Sequence, residues 1–320
     1  MNHLVKGHSY GYEIFAAKQT TGDAEWQKLY RYPLMGLSLI HLYLGNPEQL
    51  GNGTGLYAWI SLPLARTPHF MTGLRLGTGV GYLTKKFDRV DNFKNSAIGS
   101  NVNEMIVFGG EVRFRISNRL LFDTYIGLTH FSNGAYSTPN LGLNIATIHG
   151  GLSYIFTPPE PVLNKRYHPD VKASKKMEYQ AVIAAGRRET IPPGGDRYWA
   201  FKVSGGMLKP LGYKSRIGVG ADYFYDRSLH ARIISDTTND VTRTAARIGL
   251  YVSHELVLGK LRIVFDTGFY ILDEFKKDGP VYSRVGWKYT IYKNLMFNST
   301  LKTHFFKADF FEFGLAMKLR

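Results

Sequence analysis

Residues 281 to 292 alternate without a break. Val281, Ser283, Val285, Trp287, Tyr289 and Ile291 hold one parity, against Tyr282, Arg284, Gly286, Lys288, Thr290 and Tyr292 on the other. Successive strand side chains point to opposite sides of a sheet, so this run builds a strand with one apolar face and one face of polar residues and glycine. The pattern recurs in Leu261, Ile263, Phe265, Thr267, Phe269 and Ile271, opposed by Arg262, Asp266 and Gly268. It recurs again in Phe311, Phe313, Leu315, Met317 and Leu319, opposed by Glu312, Gly314, Lys318 and Arg320. Apolar-out, polar-in strands of about ten residues are the pattern of an antiparallel transmembrane β-barrel. A soluble sandwich alternates too, so the connectors carry the distinction. Tight links at Ser117-Asn118-Arg119, Gly259-Lys260 and Tyr292-Lys293-Asn294 alternate with long polar ones from Lys86 to Asn103, Arg227 to Thr242 and Asp273 to Gly279. Short periplasmic turns and long extracellular loops alternate in the same way.

Strand-like runs fall at 8–18, 24–31, 34–44, 54–66, 69–85, 104–117, 119–132 and 141–156, and then at 176–188, 196–208, 213–227, 243–257, 260–272, 280–292, 294–305 and 308–320. The run at 24–31 has the weakest alternation. The expected fold is all-β, an antiparallel transmembrane β-barrel of about 14 to 16 strands. Three regions follow: strands over 1–156, a proline-led linker or periplasmic loop over 157–175, and further barrel strands over 176–320. A single barrel is expected, because the linker is short and adding strands requires only hairpins. Two tandem eight-stranded barrels are the alternative. A wide single barrel would carry a lumen, whereas small ones are filled by side chains.

Composition narrows the partners. The formal charge of +15 calls for an anionic partner, such as nucleic acid, a membrane surface or a phosphorylated glycolipid. The basic residues are scattered through alternating strands, which argues against nucleic acid. No stretch approaches the roughly 18 to 20 apolar residues of a spanning helix. Aromatic residues at 14% and 34 glycines suit strands and tight turns. With no cysteine, neither a disulfide nor a thiolate metal site is possible. The 10 histidines are scattered and no His-Glu-x-x-His pair occurs, so neither a metal nor an organic cofactor is expected. The start, Met1 to Gly7, lacks the apolar core of a signal peptide, and the expectation is a mature outer-membrane chain with Met1 added.

Chemistry concentrates in Thr129-His130-Phe131-Ser132-Asn133-Gly134 and Asn140-Leu141-Gly142-Leu143-Asn144. His130 and Ser132 share a parity with Leu120, Phe122, Ile126 and Leu128. Asn144 shares one with Ala146, Ile148, Leu152, Tyr154 and Phe156. All three therefore project from the apolar side, while Asp123 and His149 point the other way. A hydroxyl is a weak nucleophile until a base takes its proton, and imidazole is the usual base near neutral pH. Residues i and i+2 of a strand face the same way about 6.5 to 7 Å apart, which brings His130 and Ser132 within reach of each other. Asn144 is placed to orient the imidazole, and Asn133 to donate its amide to a developing oxyanion. A blander reading makes Ser132-Asn133-Gly134 a turn and His130 an interface histidine. A faint echo, Thr303-His304-Phe305-Phe306, lacks the hydroxyl, which leaves the chemistry to the first half.

The stretch His130-Phe131-Ser132-Asn133-Gly134-Ala135 with Pro139-Asn140-Leu141-Gly142-Leu143-Asn144 resembles the active-site segment of the lipid A 3-O-deacylase family, PagL. That family's pattern is His, aromatic, Ser, Asn, two small residues, then Pro-Asn-x-Gly-aliphatic-Glu. The resemblance implies an outer-membrane barrel with His130 as base, Ser132 as nucleophile and Asn133 at the oxyanion. The chain departs from the pattern twice: Asn144 stands at the family's Glu, and some 160 residues follow where the family's barrel ends.

The expected function is an outer-membrane esterase that removes an ester-linked acyl chain from lipid A or lipopolysaccharide. Lys85, Lys86, Arg89 and Lys94 are the candidates for its phosphates. A channel or structural barrel whose site has decayed at Asn144 is the alternative, and a secreted soluble β-protein a third.

Overall fold

The computed structural model describes residues 2–157, 167, 169, 173–190, 192–236, 245–305 and 307–319. Most of the expected linker at 157–175 lies outside the described residues. The chain divides into two compact units.

The first unit spans 1–133 and 141–169. It holds a seven-stranded antiparallel sheet in sequence order: β1 (Tyr10–Gln19), β2 (Leu34–Tyr43), β3 (Asn52–Arg66), β4 (Phe70–Leu83), β5 (Val102–Arg115), β6 (Leu120–Ser132) and β7 (Leu143–Tyr154). The run at 24–31 is not a strand. Residues Glu25–Leu29 form a short helix, α1, and about five residues are too few to separate a period of 2 from one of 3.6. Burial follows the parities read from the sequence. Ile126, Leu128, Ile148 and Leu152 are exposed on one face, while Tyr57, Trp59, Met105, Tyr125, Phe131 and Ile145 form the core on the other. The sheet curls, so that side chains of both edge strands meet inside it. Glu13 of β1 accepts hydrogen bonds from Tyr57 Oη at 2.7 Å and Arg75 Nη1 at 3.3 Å, and His149 Nδ1 of β7 lies 3.2 Å from its second oxygen. Asp123 also faces inward, against Arg113 at 3.3 Å.

The second unit comprises 134–140 and 170–320. Its strands are β8 (Glu178–Glu189), β9 (Arg197–Pro210), β10 (Ser215–Asp226), β11 (Ala246–Leu258), β12 (Leu261–Leu272), β13 (Val281–Tyr292), β14 (Leu295–His304) and β15 (Lys307–Lys318), with a helix, α2 (Arg227–Asp236), after β10. The eight strands close on themselves, since β15 pairs with β8 from Phe313↔Ala185 to Lys318↔Gln180. That closure corrects the expectation of one 14- to 16-stranded barrel. With both edges of the C-terminal set satisfied by each other, no edge remains to extend the N-terminal sheet.

The inside of the closed barrel is packed with charge in place of a lumen. Arg284 reaches Asp222 at 2.9 Å, Asp266 at 2.7 Å and Glu312 at 2.7 Å, and Lys202 joins Glu312 at 2.7 Å. Glu255 holds Lys288 at 2.7 Å and Arg262 at 2.9 Å. Buried ions are tolerated only when paired and hydrogen-bonded, and each of these is. His304, from the echo of the first-half motif, faces this interior and lies 2.8 Å from Tyr270 Oη. Phe306 lies outside the described residues.

Candidate active site

Phe131 sets the orientation of the site. It is completely buried, packed where Gly81 leaves room: a Cβ at Gly81 would lie 2.3 Å from the Phe131 ring. With that aromatic driven inward, alternation turns its neighbours His130 and Ser132 outward. The aromatic of the motif is thus an anchor for the two polar residues beside it.

The register completes the arrangement. His130 pairs directly with Asn144 across β6 and β7, and directly paired residues share a face with Cβ atoms about 4.5 to 5.5 Å apart. His130 Nδ1 lies 2.6 Å from Asn144 Oδ1. An amide oxygen can only accept, so the contact calls for the proton on Nδ1, which in a neutral ring leaves Nε2 as the acceptor. The other edge of the ring faces Gly142, where a Cβ would come within 2.7 Å of His130 Cε1 and 3.5 Å of Nε2. Gly142 has φ +76°, in the left-handed region that favours glycine, and its N–H donates to Ala97 O at 3.1 Å. Asn144 is exposed, and Ser132 keeps only 5% of its surface.

Asn133 is likewise buried, and its Nδ2 donates to Ser100 Oγ at 2.8 Å. The single Ser100 hydroxyl proton faces two acceptors, Val102 O and Asn103 Oδ1, both at 3.0 Å. The contact with Ser100 fixes the plane of the Asn133 amide.

Ala97 and Ser100 belong to the 84–101 connection between β4 and β5. Asn95 folds this loop from within, accepting from the N–H groups of Ala97 at 3.2 Å and Ile98 at 3.3 Å and donating to Gln49 O at 2.8 Å. Lys85, Lys86, Arg89 and Lys94 are all exposed on it. Backbone N–H groups of Asp91 and Val90 hold the nearby Asp88 carboxyl below its usual range. The sequence pointed to no part for Ala97 and Ser100, whose contacts depend on where a long loop folds back.

Glu104 was the other residue that local pattern did not place. It stands directly opposite Ser132 across β5 and β6, on the outward face, and accepts from Thr78 Oγ1 of β4 at 3.1 Å. No cluster of three or more His, Cys, Asp or Glu side chains suited to a metal occurs among the described residues.

Comparison with known families divides the chain between β7 and β8, although residues 134–140 of the second unit fall within the first match. A model described as lipid A 3-O-deacylase (PagL) matches residues 10–153. Residues 10–153 belong to the lipid A 3-O-deacylase family. A second model, the acyloxyacyl hydrolase C-terminal domain, matches residues 177–320. The extension past the first-half strands thus matches a domain model of its own. A search of curated proteins finds no match.

Proposed function

We propose that this protein is an outer-membrane esterase that removes an ester-linked acyl chain from lipid A, using Ser132 as nucleophile and His130 as base. Family membership supports lipid A deacylation in general, and the 2.6 Å contact between His130 Nδ1 and Asn144 Oδ1 carries the finer reading. With Nδ1–H held by Asn144, Nε2 takes the proton of Ser132 Oγ as the oxygen attacks the ester carbonyl. The Asn133 amide stabilises the oxyanion. Collapse of the intermediate releases the alcohol, which takes the proton from the imidazolium, and water then frees the acyl group from Ser132 by the same steps. An amide at 144 orients the ring but gives the imidazolium no charge support, so turnover is slower than with a carboxylate.

The outward face is the lipid-facing one in this reading, which lets acyl chains reach Ser132 without leaving the membrane. The exposed bases of the 84–101 connection meet the substrate's phosphates. No cofactor takes part. Purified protein in detergent is expected to release fatty acid from lipid A, and Ser132→Ala and His130→Ala to abolish the release. Equal release by all three would end the proposal.

A non-catalytic barrel is the second reading, favoured by Asn144 in place of the family's glutamate. Its channel form is opposed by the ion pairs filling the interior of the C-terminal barrel. Fatty acid release by wild type alone decides between the two.

A further inference from the structure

Two in-register rows cross the outward face around the site. Val80, Glu104 and Ser132 form one across β4, β5 and β6, and Thr78, Ile106, His130 and Asn144 form the next across β4 to β7. Glu104 does not complete the triad, because Asn144 already holds His130 Nδ1. Its Oε1 accepts from Thr78 Oγ1 at 3.1 Å, so the carboxyl leans toward β4, with Ile106 standing between Thr78 and His130 in their row. Adjacent strands lie about 4.8 Å apart, which puts Thr78 ~10 Å from His130 across the wall.

The surroundings make this carboxyl costly. Val80, Tyr82, Val102, Phe108 and Phe114 are exposed on the same face of β4 and β5, and no cation among the described residues forms an ion pair with Glu104. An ionisable group on a lipid-facing surface is a functional candidate by default. The Thr78 hydroxyl occupies one oxygen of a carboxylate that has about four acceptor positions, leaving the other oxygen for a donor from outside the chain.

We propose that Glu104 and Thr78 form a polar subsite that accepts hydrogen bonds from hydroxyl or amide N–H groups of the saccharide bearing the scissile ester. The subsite rests on the esterase reading for its substrate. The ester lies over Ser132, its acyl chain runs along the apolar wall, and the sugar reaches across one strand to the carboxylate. Glu104 is a specificity residue in this arrangement, since it meets the substrate away from the reacting atoms.

The test measures binding in a Ser132→Ala background, which does not turn over. Affinities for intact lipid A and for a long-chain fatty acid methyl ester, which has an ester but no sugar, are compared by native mass spectrometry. Glu104→Leu is expected to lower the ratio of lipid A to methyl ester affinity about fivefold or more, the loss of a hydrogen-bonding group facing the sugar. The isosteric Glu104→Gln, which keeps side-chain volume if Leu does not fold, is expected to lower it less. A ratio unchanged in both variants overturns the subsite. Because binding is read without turnover, absence of fatty acid release by the Ser132 protein would defeat the esterase reading and leave the binding ratio to decide the subsite.

Discussion

His130 Nδ1 and Asn144 Oδ1 lie 2.6 Å apart between two residues paired directly across β6 and β7. The strand register thus sets an acceptor oxygen against Nδ1, which in the neutral ring leaves the lone pair on Nε2. What the contact lacks is charge: the oxygen accepts the proton's hydrogen bond but offers the imidazolium no counter-ion.

Restoring the charge is expected to raise turnover. Asn144→Glu should increase kcat for fatty acid release about tenfold or more, a barrier lower by roughly 1.4 kcal/mol at the chemical step. Asn144→Ala should decrease it, because the ring loses its orienting partner. Steady-state kinetics on lipid A in detergent check both, and a slower Asn144→Glu would show that the site is not built around a His–acceptor pair.

Gly142 gives the ring its space. A Cβ there would sit 2.7 Å from His130 Cε1 on a backbone at φ +76°. Gly142→Ala should therefore cut kcat about a hundredfold, as a misplacement near 1 Å does, while the folded band in unheated gel electrophoresis persists. Loss of that band together with activity would mean the glycine serves folding instead.

Ser100 is expected to act through Asn133. Ser100→Ala removes the acceptor that fixes the Asn133 amide plane, and it should lower kcat with KM little changed, because an oxyanion contact strengthens only in the transition state. Asn133→Ala should give a larger fall of the same kind, about 10²-fold or more. A rise in KM with kcat intact would assign both residues to substrate binding.

In the C-terminal barrel, Arg284→Met leaves Asp222, Asp266 and Glu312 without their shared cation, although Lys202 still meets Glu312. Breaking a buried pair by removing one partner costs about 3–5 kcal/mol. Denaturant unfolding of the barrel in detergent measures it, and a variant as stable as wild type would show that water reaches these carboxylates.

Alternation made the strands legible, because parity is local: each of β1 to β15 overlaps a run read from sequence. It also fixed the faces of His130, Ser132, Asn144, Asp123 and His149. Closure was not legible, since the same period serves one wide barrel or two separate sheets, and only the pairing of Phe313 to Lys318 with Gln180 to Ala185 decides it. Glu104 and Ser100 were hidden for a related reason. Each lies about thirty residues before its partner, and a one-residue change of register between β5 and β6 would have turned Glu104 to the other face.

The inward-facing His304 bears on how such sites arise. Point substitutions could recreate the letters of the first-half motif around His304, but the imidazole would still face the barrel interior. Turning His304 outward takes a one-residue insertion or deletion, which would also expose Lys302, Thr300 and Asn298, all now buried. The C-terminal barrel is therefore separated from a copy of the first-half arrangement by a shift of its pleat, which substitutions alone do not produce.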